Sequence, residues 1–219
     1  MEDQIIKNTI AFVKSKLSAN ESGHNFFHIQ RVYNSACYIM NFYECDKSIV
    51  KLGALLHDIA DSKFYDGDES IGPKIARNFL EEQGLDNSKI DHVINIIENI
   101  SFKGLKNKQK FKSIELDIVQ DADRLDALGA IGIARTFNYG GFKNREIYDP
   151  FIKPNLEQTV KQYKASTAPT INHFYEKLLL LKDKFNTSKG KELAQKRHDF
   201  LEKYLEQFFK EWNFNNQNL

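Results

Sequence analysis

Hydrophobic residues recur along this chain at the spacing of amphipathic helices. The clearest case lies between residues 52 and 61, where four apolar side chains stand at i, i+3, i+4 and i+7: Leu52, Leu55, Leu56 and Ile59. This spacing places them on one helix face that packs against a core. His57 and Asp58 lie off that face, roughly 100° apart around the helix axis. The pattern predicts a packed helix that presents an adjacent imidazole and carboxylate.

The same periodicity predicts helices over most of the chain. Asn25 and Asp46 are typical N-cap residues, and Pro169 should start, break or kink the helix around it. The predicted helices cover about 5–17, 25–44, 46–60, 73–84, 87–100, 114–128, 129–139 (stopped by Gly140 and Gly141), 156–185 and 187–212. No strand pair or internal repeat is visible. We therefore expect one all-α domain over residues 1–219, with a core of about 24–130 and C-terminal helices of about 156–213 packed on it.

Composition narrows the function further. The 219 residues are 41% hydrophobic and 28% charged, with a formal net charge of +1, which argues against a dedicated nucleic-acid or membrane-surface protein. Cys37 and Cys45 lie eight positions apart in one predicted helix, roughly 12 Å and beyond disulfide reach. The longest aliphatic run, Leu178 to Leu181, is too short to cross a bilayer. We expect a cytoplasmic protein without a membrane partner.

Three short motifs carry the chemistry. They are GHNFFHIQRV from Gly23, ALLHDI from Ala54 and DADRLD from Asp121, followed by GAIGIAR from Gly129. In this order they resemble the HD-domain metal-dependent phosphohydrolases. The resemblance implies a small bacterial-type, single-domain HD hydrolase, a helical bundle with a metal site between its helices.

The resemblance also implies a set of metal ligands: His28, His57, Asp58 and Asp123. Such a mixed nitrogen and oxygen set suits one divalent ion, with Mn, Ni, Fe, Co, Zn and Mg as candidates. The choice of Asp123 over its neighbours rests on the resemblance. Asp121 is expected to pair with Arg124 or Arg31, and whether Asp121 or Asp126 assists the site stays open.

The implied reaction is hydrolysis of a small phosphorylated metabolite by a metal-activated water, with a nucleotide as the favoured substrate. Cleavage of a phosphomonoester and of a pyrophosphate bond are both open. The alternatives are a nucleotide-sensing HD module without turnover and a di-iron HD oxygenase. The interval between Asp58 and Asp123 offers only His92 as a further histidine, which disfavours a dinuclear site. The aromatic C-terminal segment that includes Phe208 and Trp212 is expected to pack on the core, with a homodimer as the alternative.

Several further residues are candidates for the reaction itself. Asp61 follows Asp58 by three positions, one helical turn, so its carboxylate is the candidate general base. Lys63 is placed beside it among the catalytic candidates. The candidate phosphate-binding cations are Arg31, Lys103 and Arg135. Lys103 belongs to a lysine-rich loop, residues 101–113, which is either a solvated connector or, as our hypothesis, a lid that contacts the phosphate of an anionic substrate.

We predict different outcomes for the two carboxylates of the second motif. Asp58→Ala should lose metal and activity together, whereas Asp61→Asn should keep its metal. Loss of proton acceptance should slow catalysis by about 10²–10⁴-fold in Asp61→Asn. Metal content and kcat measured on the same preparations test this. A fully active Asp61→Asn protein, or one that loses its metal, would contradict the role of Asp61.

Overall fold

The computed structural model describes residues 2–17, 25–60, 68–100 and 111–213, and within these ranges all regular secondary structure is helical. The α-helices are α1 (Glu2–Leu17), α2 (Phe26–Ile39), α3 (Lys47–Leu56), α4 (Ile71–Glu82), α5 (Asn87–Asn99), α6 (Ile114–Asp126), α7 (Gly129–Phe142), α8 (Val160–Ala165), α9 (Asn172–Glu176) and α10 (Ser188–Trp212). Two 3₁₀ segments, Met40–Phe42 and Leu178–Lys184, accompany them. The all-α prediction is confirmed.

The chain divides into two compact units. The first contains Met1–Asp123 together with Asn186–Gly190, and the second contains Arg124–Phe185 and Lys191–Leu219. Helices α6 and α10 each contribute residues to both units. The expectation that the whole chain forms one domain stays a prediction.

Helix α3 lies at the centre of the first unit and packs against α1, α2 and α5. The predicted apolar face is buried, since each of its four side chains is at most 4% exposed: Leu52, Leu55, Leu56 and Ile59. Gly53 and Ala54 on the other side of the helix are buried too. Helix α3 is therefore enclosed nearly all round, which explains why its sequence is more apolar than that of a surface helix.

The predicted N-caps of α2 and α3 are confirmed. The side chain of Asn25 accepts a hydrogen bond from the amide of His28 at 3.2 Å. Asp46 Oδ1 accepts hydrogen bonds from the amides of Ser48 and Ile49 at 2.9 and 3.2 Å. Burial would raise the pKa of Asp46, but hydrogen bonds from the Ser48 hydroxyl, Lys89 and the Ile49 amide lower that pKa to about 2. The helix that carries His28, α2, and the helix that precedes His57, α3, thus begin at fixed positions.

The predicted continuation of α3 through Asp58 is wrong. The helix ends at Leu56, His57 occupies the C-cap position, and a turn closes with a hydrogen bond from the amide of Ile59 to the carbonyl of Leu56 at 3.3 Å. Ile59 stays buried in this turn, so the apolar periodicity continues past the helix end. Asp61 and Lys63 lie outside the described residues.

The predicted long helix over 156–185 is also wrong. This range contains the short helices α8 and α9 and the 3₁₀ segment Leu178–Lys184 instead, and residues 156–159 before α8 are not helical. Pro169 lies between α8 and α9, where its ring removes an amide donor and favours extended backbone at the preceding residue. The amides of Thr170 and Ile171 bond to the carbonyls of Glu146 and Ile147 at 2.8 and 3.0 Å. These long-range bonds replace the helical ones.

Helix α7 continues beyond its predicted end at Tyr139 to Phe142. Gly140 lies inside this helix. A glycine is needed there because a Cβ at this position would lie 2.2 Å from Thr170 Oγ1. Here the glycine permits close packing and does not stop the helix.

The aromatic residues of the C-terminal helix pack within the second unit. Tyr148 makes edge contacts with Phe208, Phe209 and Trp212 at centroid distances of 6.0, 5.2 and 5.0 Å. Phe214 lies outside the described residues, and the homodimer alternative stays a prediction. In the described ranges, none of the helices combines the length and the apolar character that crossing a bilayer requires.

A part-buried tyrosine–histidine pair joins α8 to α9. The Tyr163 hydroxyl lies 2.5 Å from Nδ1 of His173. Burial, with the positive charges of Lys177 and Arg145, lowers the pKa of His173 to about 4. His173 is therefore neutral in the folded protein at neutral pH.

We predict that this neutral histidine makes folding sensitive to acid. Between pH 6.5 and 4 the unfolded chain binds a proton at His173 that the folded protein does not bind. The free energy of unfolding should therefore decrease as the pH is lowered, by about 3 kcal/mol from this group. Chemical denaturation at pH 7 and pH 4.5 measures it. His173→Gln is the control, and an equal pH dependence in that variant would contradict the prediction.

Candidate metal centre

The first side chain of the site is His28, in the first turn of α2. Its ring is 2% exposed, and the Asn25 cap holds its backbone amide. His28 faces inward, because Val32 and Ala36, one and two turns further along the same helix face, are fully buried. The imidazole is therefore held in the core of the first unit and not on a solvated helix face.

His57 and Asp58 follow directly from the C-terminus of α3. His57 Nδ1 lies 2.9 Å from the carbonyl oxygen of Ala54. A carbonyl only accepts, so Nδ1 carries the proton and the lone pair of a neutral ring is left on Nε2. Histidines that bind metals characteristically donate their second nitrogen in this way. The backbone of α3 thus fixes the orientation of the His57 ring.

Asp123 brings α6 to the same point. Its Oδ1 lies 3.5 Å from His28 Nε2 and 3.8 Å from His57 Nε2. The two imidazole rings are 5.4 Å apart between centroids and inclined at 68°. Ligand atoms of His28, His57 and Asp58 also lie within 4.8 Å of one another. The four side chains that the motifs singled out therefore converge from three separate segments of the first unit.

This arrangement fits a divalent ion. Donor atoms about 2.0–2.2 Å from a shared metal stand roughly 3–4 Å apart, close to the distances between Asp123 and the two imidazoles. Two imidazole nitrogens with two carboxylates form a set that suits first-row transition metals better than calcium.

Known proteins match this chain along nearly its full length. The HD domain family profile matches residues 25–128, which include all four side chains. A crystal structure of an HD-superfamily hydrolase from Bacillus thuringiensis is 43% identical, with a TM-score of 0.79 over 97% of this chain and 99% of that one. The chain belongs to the HD-domain phosphohydrolase superfamily.

A second relative of this chain is the uncharacterized protein YpgQ from Bacillus subtilis. It is 37% identical over 203 residues, 91% of this chain and 90% of YpgQ. A crystal structure of YpgQ in complex with ADP superposes with a TM-score of 0.73, at 34% identity over 96% of both chains. These relatives extend the likeness beyond the motif region.

The predicted phosphate-binding cations differ in their surroundings. Arg31 lies on α2, three positions after His28, and is half-buried. Arg135 donates a hydrogen bond to Asp126 Oδ2 at 2.5 Å and another to the Asp126 carbonyl at 3.2 Å. Lys103 and most of the lysine-rich loop lie outside the described residues. The contacts of Arg135 indicate a structural role, and those of Asp126 do too.

The sequence predicts an ion pair of Asp121 with Arg124 or Arg31 and leaves open whether Asp121 assists the site. Asp121 is fully buried, and its carboxylate accepts hydrogen bonds from the backbone amides of Asn186 and Thr187 at 2.8 and 2.7 Å. It thus binds the N-terminus of α10. Helical spacing cannot predict this contact, because Asn186 and Thr187 lie 65 and 66 positions from Asp121 along the chain.

We predict that Arg135 matters more for stability than for substrate binding. Asp126 is 3% exposed, so Arg135→Ala should lower the free energy of unfolding by about 2–4 kcal/mol by removing a charged partner of a buried carboxylate. Chemical denaturation measures this, with Lys196→Ala on the exposed face of α10 as control. Unchanged stability together with a raised KM would support phosphate binding by Arg135 instead.

Proposed function

We propose that this chain is a metal-dependent phosphohydrolase that cleaves a phosphate ester or anhydride bond of a nucleotide. The observation that carries the proposal is the convergence of His28, His57 and Asp123, with Asp58 beside them, on a single point. The family is one of hydrolases, and the ligand set is intact. A module that only senses a nucleotide has less need for such a set.

The residues of the chain would divide the work in a definite way. When bound, a divalent ion supplies polarisation of a phosphoryl oxygen and a lowered pKa for water. His57, oriented by the Ala54 carbonyl, and buried His28 hold two nitrogen donors in fixed directions. Asp58 and Asp123 add negative charge. Arg31, one turn beyond His28, is the described cation that we assign to the substrate phosphate.

A nucleotide is the substrate class that we favour. YpgQ was crystallised with ADP, and its likeness to this chain spans 96% of both chains. A nucleotide carries the anionic phosphates that a divalent ion and an arginine bind together. The bond that is cleaved, and the metal, are left to experiment.

We predict about one equivalent of divalent metal per chain and release of phosphate or pyrophosphate from at least one nucleotide. Elemental analysis and a product screen over nucleoside mono-, di- and triphosphates with Mn²⁺, Ni²⁺, Co²⁺, Zn²⁺ and Mg²⁺ measure both. Asp123→Ala should weaken metal binding by about tenfold or more, since it removes a ligand, and should abolish turnover. Asp199→Ala, an exposed carboxylate of α10, is the matched control.

Three results would contradict the proposal. Nucleotide binding without any product would favour the sensing module. Two metal equivalents with oxygen consumption would favour the oxygenase. An Asp123→Ala protein that binds metal and turns over substrate like the parent would remove the metal site itself.

A further inference from the structure

Helix α6 is anchored two residues before Asp123 by a fully buried carboxylate. Asp121 Oδ1 accepts a hydrogen bond from the Asn186 amide at 2.8 Å. Its Oδ2 accepts two more, from the amide and the hydroxyl of Thr187, both at 2.7 Å. Residues 186–190 belong to the same compact unit as the four side chains of the metal centre. We call these contacts the α6 anchor.

The start of α10 is shaped around this carboxylate. A Cβ at Gly190 would lie 2.3 Å from Asp121 Oδ2 and 2.8 Å from Thr187 Oγ1. The Thr187 hydroxyl also accepts a hydrogen bond from the Gly190 amide at 2.9 Å. The amides at a helix N-terminus stabilise a negative charge. The carboxylate therefore fits a space that exists only because residue 190 has no side chain.

The neighbouring residue ties α6 to α5 as well. Gln120 Nε2 donates a hydrogen bond to the Asn99 carbonyl at 2.8 Å, while its Oε1 accepts one from Asn186 Nδ2 at 2.9 Å. Two successive positions of α6 are thus fixed by two other segments. Such paired contacts oppose rotation of the helix about its axis.

Rotation of α6 is what the metal centre can least tolerate. Positions 121 and 123 are roughly 200° apart around the helix, so Asp123 points away from the anchor and towards the histidines. A metal ligand has to stay within about 10–20° of its productive direction. The Asp123 side chain is 37% exposed. Neighbouring atoms therefore restrict it less than they restrict the two buried histidines.

We propose that Asp121 is a positioning residue for the metal centre: through the α6 anchor it directs the Asp123 carboxylate at His28 and His57. This inference rests on the proposed metal site. It assigns to Asp121 a function other than metal ligation, and it extends the site to Thr187 and Gly190, which touch no proposed ligand atom.

The test uses a substitution on a different helix from Asp123. Gly190→Ala in the full chain forces a Cβ against the Asp121 carboxylate, and we expect the affinity for Mn²⁺, titrated calorimetrically, to fall about tenfold or more, as for outer-shell partners of metal ligands. Gly141→Ala makes the same chemical change where a Cβ meets nothing within 4 Å, and it should bind Mn²⁺ like the parent. Asp121→Asn, which replaces an acceptor oxygen with a donor, should behave like Gly190→Ala.

A double-mutant cycle separates positioning from general structural damage. If the anchor acts through Asp123, Gly190→Ala should have no further effect on Mn²⁺ affinity when Asp123 is already alanine. An equal loss in both backgrounds would overturn the proposal, as would unchanged affinity in the Gly190→Ala and Asp121→Asn proteins. All titrations are made at a temperature at which circular dichroism shows each variant folded, and Asp121→Asn carries the cycle if Gly190→Ala does not fold.

The same data separate this inference from the proposed function. If Asp123→Ala alone leaves Mn²⁺ affinity unchanged, the metal site is wrong and the positioning role falls with it. If Asp123→Ala loses affinity while the anchor variants keep it, the metal site stands and only the role of Asp121 is wrong.

Discussion

The metal centre depends on how closely α3 approaches its neighbours. At Gly53 a Cβ would lie 3.2 Å from two side-chain carbons of Ile96 on α5 and 3.5 Å from Val119 on α6. This contact is one turn before His57 and one turn before Asp123. A Cβ at position 53 would therefore press on Ile96 of α5, whereas its distance to Val119 would be an ordinary van der Waals contact. Protein cores accommodate such extra volume poorly.

Much of the first unit could be predicted from the sequence because its information is local. Apolar spacing located the helices, and the side chains of Asn25 and Asp46 marked where α2 and α3 begin. The four candidate ligands came from the order of the motifs and not from geometry. Without the other motifs, the spacing favours a hydrogen-bonded core histidine at position 28 over a metal ligand. The structure adds the convergence of the four side chains.

The errors arose where distant residues decide the local structure. Ile59 keeps the apolar period beyond Leu56, so no local signal marks the end of α3. Pro169 was recognised as a break, but the partners that replace the helical hydrogen bonds, Glu146 and Ile147, are more than twenty positions away. The contacts of Asp121 with Asn186 and Thr187 could not be predicted for the same reason, because these partners lie 65 and 66 positions away. A buried charge with a distant partner looks in sequence like a charge on a solvated helix face.

The four side chains of the site differ in burial: the two histidines are buried, and the two carboxylates are less buried. The two histidines are enclosed and fixed by backbone contacts: Asn25 caps the turn that holds His28, and Ala54 accepts from His57. The carboxylates of Asp58 and Asp123 are less buried, so the open side of the site is the side that carries negative charge. A phosphate group that approaches from there meets repulsion unless a cation is bound. Under the proposed function, metal binding and substrate binding are therefore coupled by electrostatics, and the backbone has to set the direction of the two partly exposed carboxylates.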